Sequence, residues 1–191
     1  MKRSRAVSLG ILGAAAFGLA ACQQEEQTEA AAFPDEKSCI AAADQNGWFS
    51  REDCATTFAE AKALHAQTAP RYESRELCEQ EHGPEACAGD PAAATGSGGG
   101  SIFMPLLAGY LIGQALGGGR AMAQPVVPKA GGGFATPTGG TQLSRLNSTG
   151  KMGATAFTKG PTTAGQPPMS RAAVASRGGF GGSAAARSVG S

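Results

Sequence analysis

Hydrophobic positions gather in three stretches of this chain and thin out after the third. The first runs from Ala6 to Ala21 behind Lys2, Arg3 and Arg5, which gives the charged and apolar regions of a secretory signal. It is too short and too rich in small residues for a membrane anchor. The second, from Phe33 to Asp90, is mostly polar, with Phe33, Trp48, Phe49, Phe58, Leu64, Tyr72 and Leu77 as its available core. Within it Asp35, Ser50 and Ser74 each stand four places before a cysteine and are followed by acids. Such side chains accept hydrogen bonds from the free amides of a helix start, and the acids suit the positive end of the helix dipole. Three helices are therefore predicted. The second reads "REDCATTFAEAKALHAQTA", from Arg51 to Ala69, and is ended by Pro70.

The third stretch is "SIFMPLLAGYLIGQALGGG", residues 101 to 119. Its apolar part is shorter than the roughly twenty residues needed to span a bilayer. Pro105 suits a first helical turn and Gly117 to Gly119 suit a stop, so a helix is expected from about Met104 to Leu116. Gly109, Gly113 and Gly117 repeat the G-x-x-x-G spacing, which clears one helix face for a second backbone. The segment is expected to be a packing seam or a membrane-dipping helix. Beyond it Val126, Val127, Phe134, Phe157 and Phe180 are too scattered to offset the entropy of ordering the chain.

The predicted fold class is thus small and all-α: a disulfide-stapled head of three short helices, an isolated apolar helix resembling a glycine zipper, and a disordered remainder. In order, the expected parts are a signal peptide (1–21), a lipidated linker (22–34), the head (35–90), a Gly-rich linker (91–100), the apolar helix (101–119) and a basic tail (120–191).

Charge divides the chain in the same place. All 15 acids lie between Glu25 and Asp90, where they face only Lys37, Arg51, Lys62, Arg71 and Arg75. From Pro91 onward there are bases and no acids: Arg120, Lys129, Arg145, Lys151, Lys159, Arg171, Arg177 and Arg187. Such asymmetry marks an interaction tail. The expected partners are an envelope protein for the head and an anionic surface, lipopolysaccharide or wall polymer, for the tail. Arg171, Arg177 and Arg187 would contribute to that contact, which would weaken with salt.

Cysteine usage sets the compartment. Leu19, Ala20, Ala21 and Cys22 resemble the lipobox of bacterial lipoproteins, which implies cleavage before Cys22 and a lipid on its sulfur. Gln23, in place of an Asp, then favours the outer membrane, facing the periplasm. The alternative is an ordinary signal with a chance cysteine at the cut. The four remaining cysteines, Cys39, Cys54, Cys78 and Cys87, are an even count in an exported chain and argue for disulfides. About 20 Å of helix lies between Cys54 and the region where the third helix starts, so local pairing is expected: Cys39 with Cys54 and Cys78 with Cys87. Metal is not expected, because no C-x-x-C occurs and His65 and His82 have no ligand spacing. Nor is there a cofactor motif or a Ser, His and Asp set. Trp48 and Phe49 are read as packing on the first disulfide. "SRGGFG" could bind single-stranded nucleic acid, but export removes that partner.

Three stretches, "TAPRYESRELCEQEHGPEAC", "FMPLLAGYLIGQALGGG" and the late "SRGGFG", together resemble the YgiB-like family of exported bacterial proteins of unknown function. The resemblance implies the same architecture and transfers no catalytic residue. The expected function is that of a non-enzymatic cell-envelope lipoprotein acting in interaction or scaffolding. The competing expectation is a membrane-active or self-associating oligomer built on Gly109, Gly113 and Gly117.

Overall fold

The structure, a computed structural model, describes residues 26–45, 47–92, 101–114 and 119–176. Its helices start where local chemistry allows. Helix α1 (Glu36–Ala43) is capped by Asp35, whose carboxylate accepts from Ser38 N at 2.7 Å. Helix α2 (Arg51–Thr68) opens on a reciprocal pair: Ser50 Oγ accepts from Asp53 N at 3.1 Å, and Asp53 accepts from Ser50 N at 2.9 Å. Ser74 caps α3 (Arg75–His82) through Leu77 N at 3.3 Å. The disulfides are Cys39–Cys54 and Cys78–Cys87, with Cα separations of 5.7 and 6.2 Å. Closing loops of 15 and 9 residues, they contribute about 3 and 2.5 kcal/mol on the chain-entropy account.

The all-α expectation fails beyond these helices. Eight strands are described: β1 (Gln27–Phe33), β2 (Cys87–Gly89), β3 (Phe103–Pro105), β4 (Gly109–Gly113), β5 (Met122–Pro128), β6 (Phe134–Ala135), β7 (Gln142–Leu143) and β8 (Ser148–Gly153). Six of them form one antiparallel sheet in the order β7-β6-β5-β4-β1-β8, while β2 pairs with β3. The architecture is mixed α/β. Both the expected linker at 22–34 and the expected tail at 120–191 contribute strands to this sheet.

Connectivity shows that the sheet curls. Its two edge strands, β7 and β8, are joined by Ser144 to Asn147 alone, a path of at most about 18 Å. Six strands laid flat would hold them about 24 Å apart. Curling makes two buried faces. Ala31, Phe33, Tyr110, Ile112 and Ala123 meet α1, α2 and the Cys39–Cys54 bond on one face. On the other, Ala30, Ala32, Leu111 and Val126 close over Phe157, which lies in a 3₁₀ turn (Ala154–Phe157). Burying Leu111, Ile112 and Val126 contributes about 1.5–3 kcal/mol each.

The expected glycine-zipper helix is therefore corrected to strand β4. A Cβ on Gly113 would lie 2.3 Å from the Phe157 ring, and one on Gly109 would lie 2.3 Å from the Phe33 carbonyl oxygen. These positions do require glycine for close approach, but what approaches is the same chain. That occupancy removes the seam on which the oligomer reading rested; Gly117 lies outside the described residues. No described helix is long and apolar enough to cross a membrane.

The expectation of a disordered tail is corrected over residues 120–176, which form β5 to β8, the 3₁₀ turn and a helix α4 (Arg171–Ser176). The scattered apolar residues suffice because β1 and β4 supply the rest of the core. Opposite charges meet across the same fold: Lys151 Nζ lies 3.9 Å from Glu29 and Lys159 Nζ 3.9 Å from Glu60. Arg177 and Arg187 lie outside the described residues.

Candidate functional site

Helix α2 ends because Pro70 forces Ala69 into an extended conformation (φ −61°, ψ 138°). That leaves carbonyls of the last turn without helical partners. Arg71 turns back to serve them: Nη2 donates to Ala66 O at 2.7 Å and Nη1 to Ala69 O just past the helix at 3.2 Å, while Thr68 Oγ1 back-bonds to Leu64 O at 2.8 Å. A cation there also suits the negative end of the helix dipole. Burial of the guanidinium, 4% exposed, calls for a counter-charge, and Asp90 supplies it at 2.6 Å from Nε.

The tail closes around this cation. Thr163 Oγ1 accepts from Arg71 Nη1 at 2.6 Å and itself lies 2.6 Å from Ala69 O, while Thr163 N donates to Gln67 O at 2.8 Å. Met169 N donates to Arg71 O at 2.7 Å. Arg71 thus ties the end of α2 to Asp90 and to the segment 161–169.

Over this clasp lies a cleft of about 340 Å³, within the size range of small-ligand sites. Its apolar wall is Pro70, Pro137, Pro161, Pro167 and Met169. Thr68, Thr138, Thr163 and Gln166 supply polar groups, with Arg71 as the one charged residue. Its lining contains no serine, cysteine, histidine or carboxylate.

Two histidines, His82 buried and His65 half-buried, lie elsewhere, each joining a helix to a strand. His82 Nδ1 is 2.7 Å from Pro128 O, so that nitrogen carries the proton and donates; Nε2 is then free to accept from the Tyr72 hydroxyl at 2.8 Å. His65 Nε2 donates to Pro105 O at 2.9 Å. Burial holds both imidazoles below their ordinary pKa, against the opposing pull of the carbonyls they bond. Burial likewise raises the Tyr110 phenol well above its ordinary range. These bonds fit rings that are neutral and structural.

The residues singled out from sequence scatter rather than converge. Cys22 lies outside the described residues. The four disulfide cysteines staple α1 to α2 and α3 to β2; Trp48 stands edge-on to Phe49 at 5.0 Å beside the first of them. No group of three His, Cys, Asp or Glu among the described residues could hold a metal ion. Arg71, Asp90 and Thr163 went unnoticed as a set, and the only local signal was an arginine just past a proline-terminated helix.

Residues 26–190 match the family described as "Protein of unknown function (DUF1190)". Among similar proteins, a UPF0441 protein of Erwinia tasmaniensis is 34% identical over 184 residues, covering 90% of this chain and 78% of its own. A UPF0441 protein of Photorhabdus laumondii is 31% identical, covering 97% and 84%, and one of Klebsiella pneumoniae is 31% identical, covering 92% and 79%. No solved structure matches. With the family matched across nearly the whole folded chain, and with the YgiB-like resemblance pointing the same way, the chain belongs to the DUF1190 family, whose function is unknown.

Proposed function

We propose that this chain is a lipid-anchored binding protein of the cell envelope that works without catalysis and seats its ligand in the proline–threonine cleft. The observation that carries the reading is the lining: apolar walls and threonine hydroxyls, with no histidine, carboxylate or other base to activate a hydroxyl, and a single cation already neutralised by Asp90. General acid–base or nucleophilic chemistry needs groups of that kind within reach of substrate. An uncharged ligand with hydrogen-bonding edges fits instead. The lipobox-like Leu19 to Cys22 supports anchoring at the membrane, and Gln23 the outer one.

The test is capture from envelope extract by the lipidated protein and by a Thr138→Trp variant that fills the cleft. A partner retained by the parent protein in high salt and lost by the variant supports the reading. A partner kept by the variant and released by salt points to an anionic polymer on the exposed bases and overturns the cleft as the site.

A further inference from the structure

Strand β1 begins at Gln27, very near the cysteine proposed to carry lipid, and it is held on both sides. It pairs with β4 along one edge and with β8 along the other. Even before the strand starts, Glu26 O accepts from Ala154 N at 2.9 Å; within its first residues, Glu29 O accepts from Gln114 N at 2.9 Å. The chain is therefore held to the sheet already at Glu26. Four Cα steps separate Cys22 from Glu26, a reach of at most about 14 Å whatever their path. A folded unit of roughly 150 residues has a radius of gyration of about 15 Å, so such a tether cannot let it turn over freely.

Resting on the lipid anchor proposed above, we infer that the end of the sheet bearing Gln27, Gln114, Arg120 and Thr155 is a membrane-apposed surface held against phospholipid headgroups. These residues are all exposed. Charge agrees with the orientation. At this end Arg120 and Lys151 balance Glu26 and Glu29, whereas the turn just past the far end of β1 carries Asp35 and Glu36 against Lys37. An anionic headgroup layer repels the balanced end less. The six steps from Gln27 to Phe33 set the two ends about 20 Å apart, enough to be resolved by a headgroup-level quencher.

The experiment uses full-length lipidated protein in phosphatidylethanolamine–phosphatidylglycerol vesicles doped with a headgroup spin-labelled lipid. A fluorophore is attached at Thr155→Cys or at Lys37→Cys, the latter exposed in the first turn of α1. Quenching several-fold stronger at residue 155 is expected, and a long Gly/Ser insertion between Glu25 and Glu26 should bring the two positions to equality. Equal quenching without the insertion, or stronger quenching at residue 37, overturns the orientation while leaving the lipid anchor intact. A mature chain that takes up no labelled fatty acid, and whose vesicle binding survives Cys22→Ser, overturns both.

Discussion

The helical layer and the curled sheet of this protein are specified in different ways. Each helix start is written within four residues: Asp35, Ser50 or Ser74 satisfies an amide three places on, and the cysteine that follows enters a bond to a near neighbour. The sheet is completed from distant parts of the chain. Strand β1 pairs with β4 and β8, whose residues lie 77 or more places later, so neither the first strand nor the last has a local reason to form. The contrast teaches where stability should be sought. The helices have caps and staples of their own and β4 to β7 pair with their neighbours in sequence, whereas β1 and β8 join the sheet only when distant segments meet, and the fold should be most sensitive at those joints.

The largest effect is expected at Arg71. Replacing it with Met leaves Asp90 buried, 5% exposed, without its counter-charge and removes the cap from α2. Removing one partner of a buried pair costs about 3–5 kcal/mol. Chemical denaturation should show that loss for Arg71→Met, and a smaller one for the double change Arg71→Met with Asp90→Leu. If the single and double variants match the parent, the clasp does not join the two regions.

A second test concerns the sheet alone. Gly113→Ala places a methyl 2.3 Å from the Phe157 ring, and overpacking of this kind costs about 1–3 kcal/mol. Phe157→Leu in the same chain should recover part of the loss. A Gly113→Ala protein as stable as the parent would show that Phe157 does not cover β4 in solution.

What could be read from the residues follows the same division. Capping and cysteine spacing are local, so the three helices and both disulfides were legible. Strand β4 was not. "GYLIG" is buried on both faces, so it lacks the alternation that marks a half-exposed strand, and a short apolar run reads equally well as buried helix. Strand β1, "QTEAAAF", hides behind three alanines with no strand preference, and β8, "STGKMG", is a mostly exposed edge. The charge division along the chain does not show which acids and bases meet in space, as Glu29–Lys151 and Glu60–Lys159 do. As for the cleft, Arg71 and Thr163 stand 92 residues apart, and nothing in either neighbourhood announces the other.

The smallest effect per residue is expected from acid, and it acts on the joints between helix and strand. His82 ties α3 to the end of β5 through Pro128 O, and His65 ties α2 to β3 through Pro105 O. Burial lowers both folded pKa values below the ordinary 6.5. The unfolded chain therefore binds protons first as pH falls, and stability present above pH 6.5 declines below it until the folded rings also titrate. Between pH 6.5 and 5.5 the loss is at most about 1.4 kcal/mol per histidine. His82→Asn keeps a donor near Pro128 O and removes the titration. Its denaturation midpoint should be lower than the parent's at pH 7.5 yet fall less steeply between pH 6.5 and 5.5. Equal slopes would mean that His82 is already solvated, and that α3 and the end of β5 are less tightly joined than the two bonds on its ring imply.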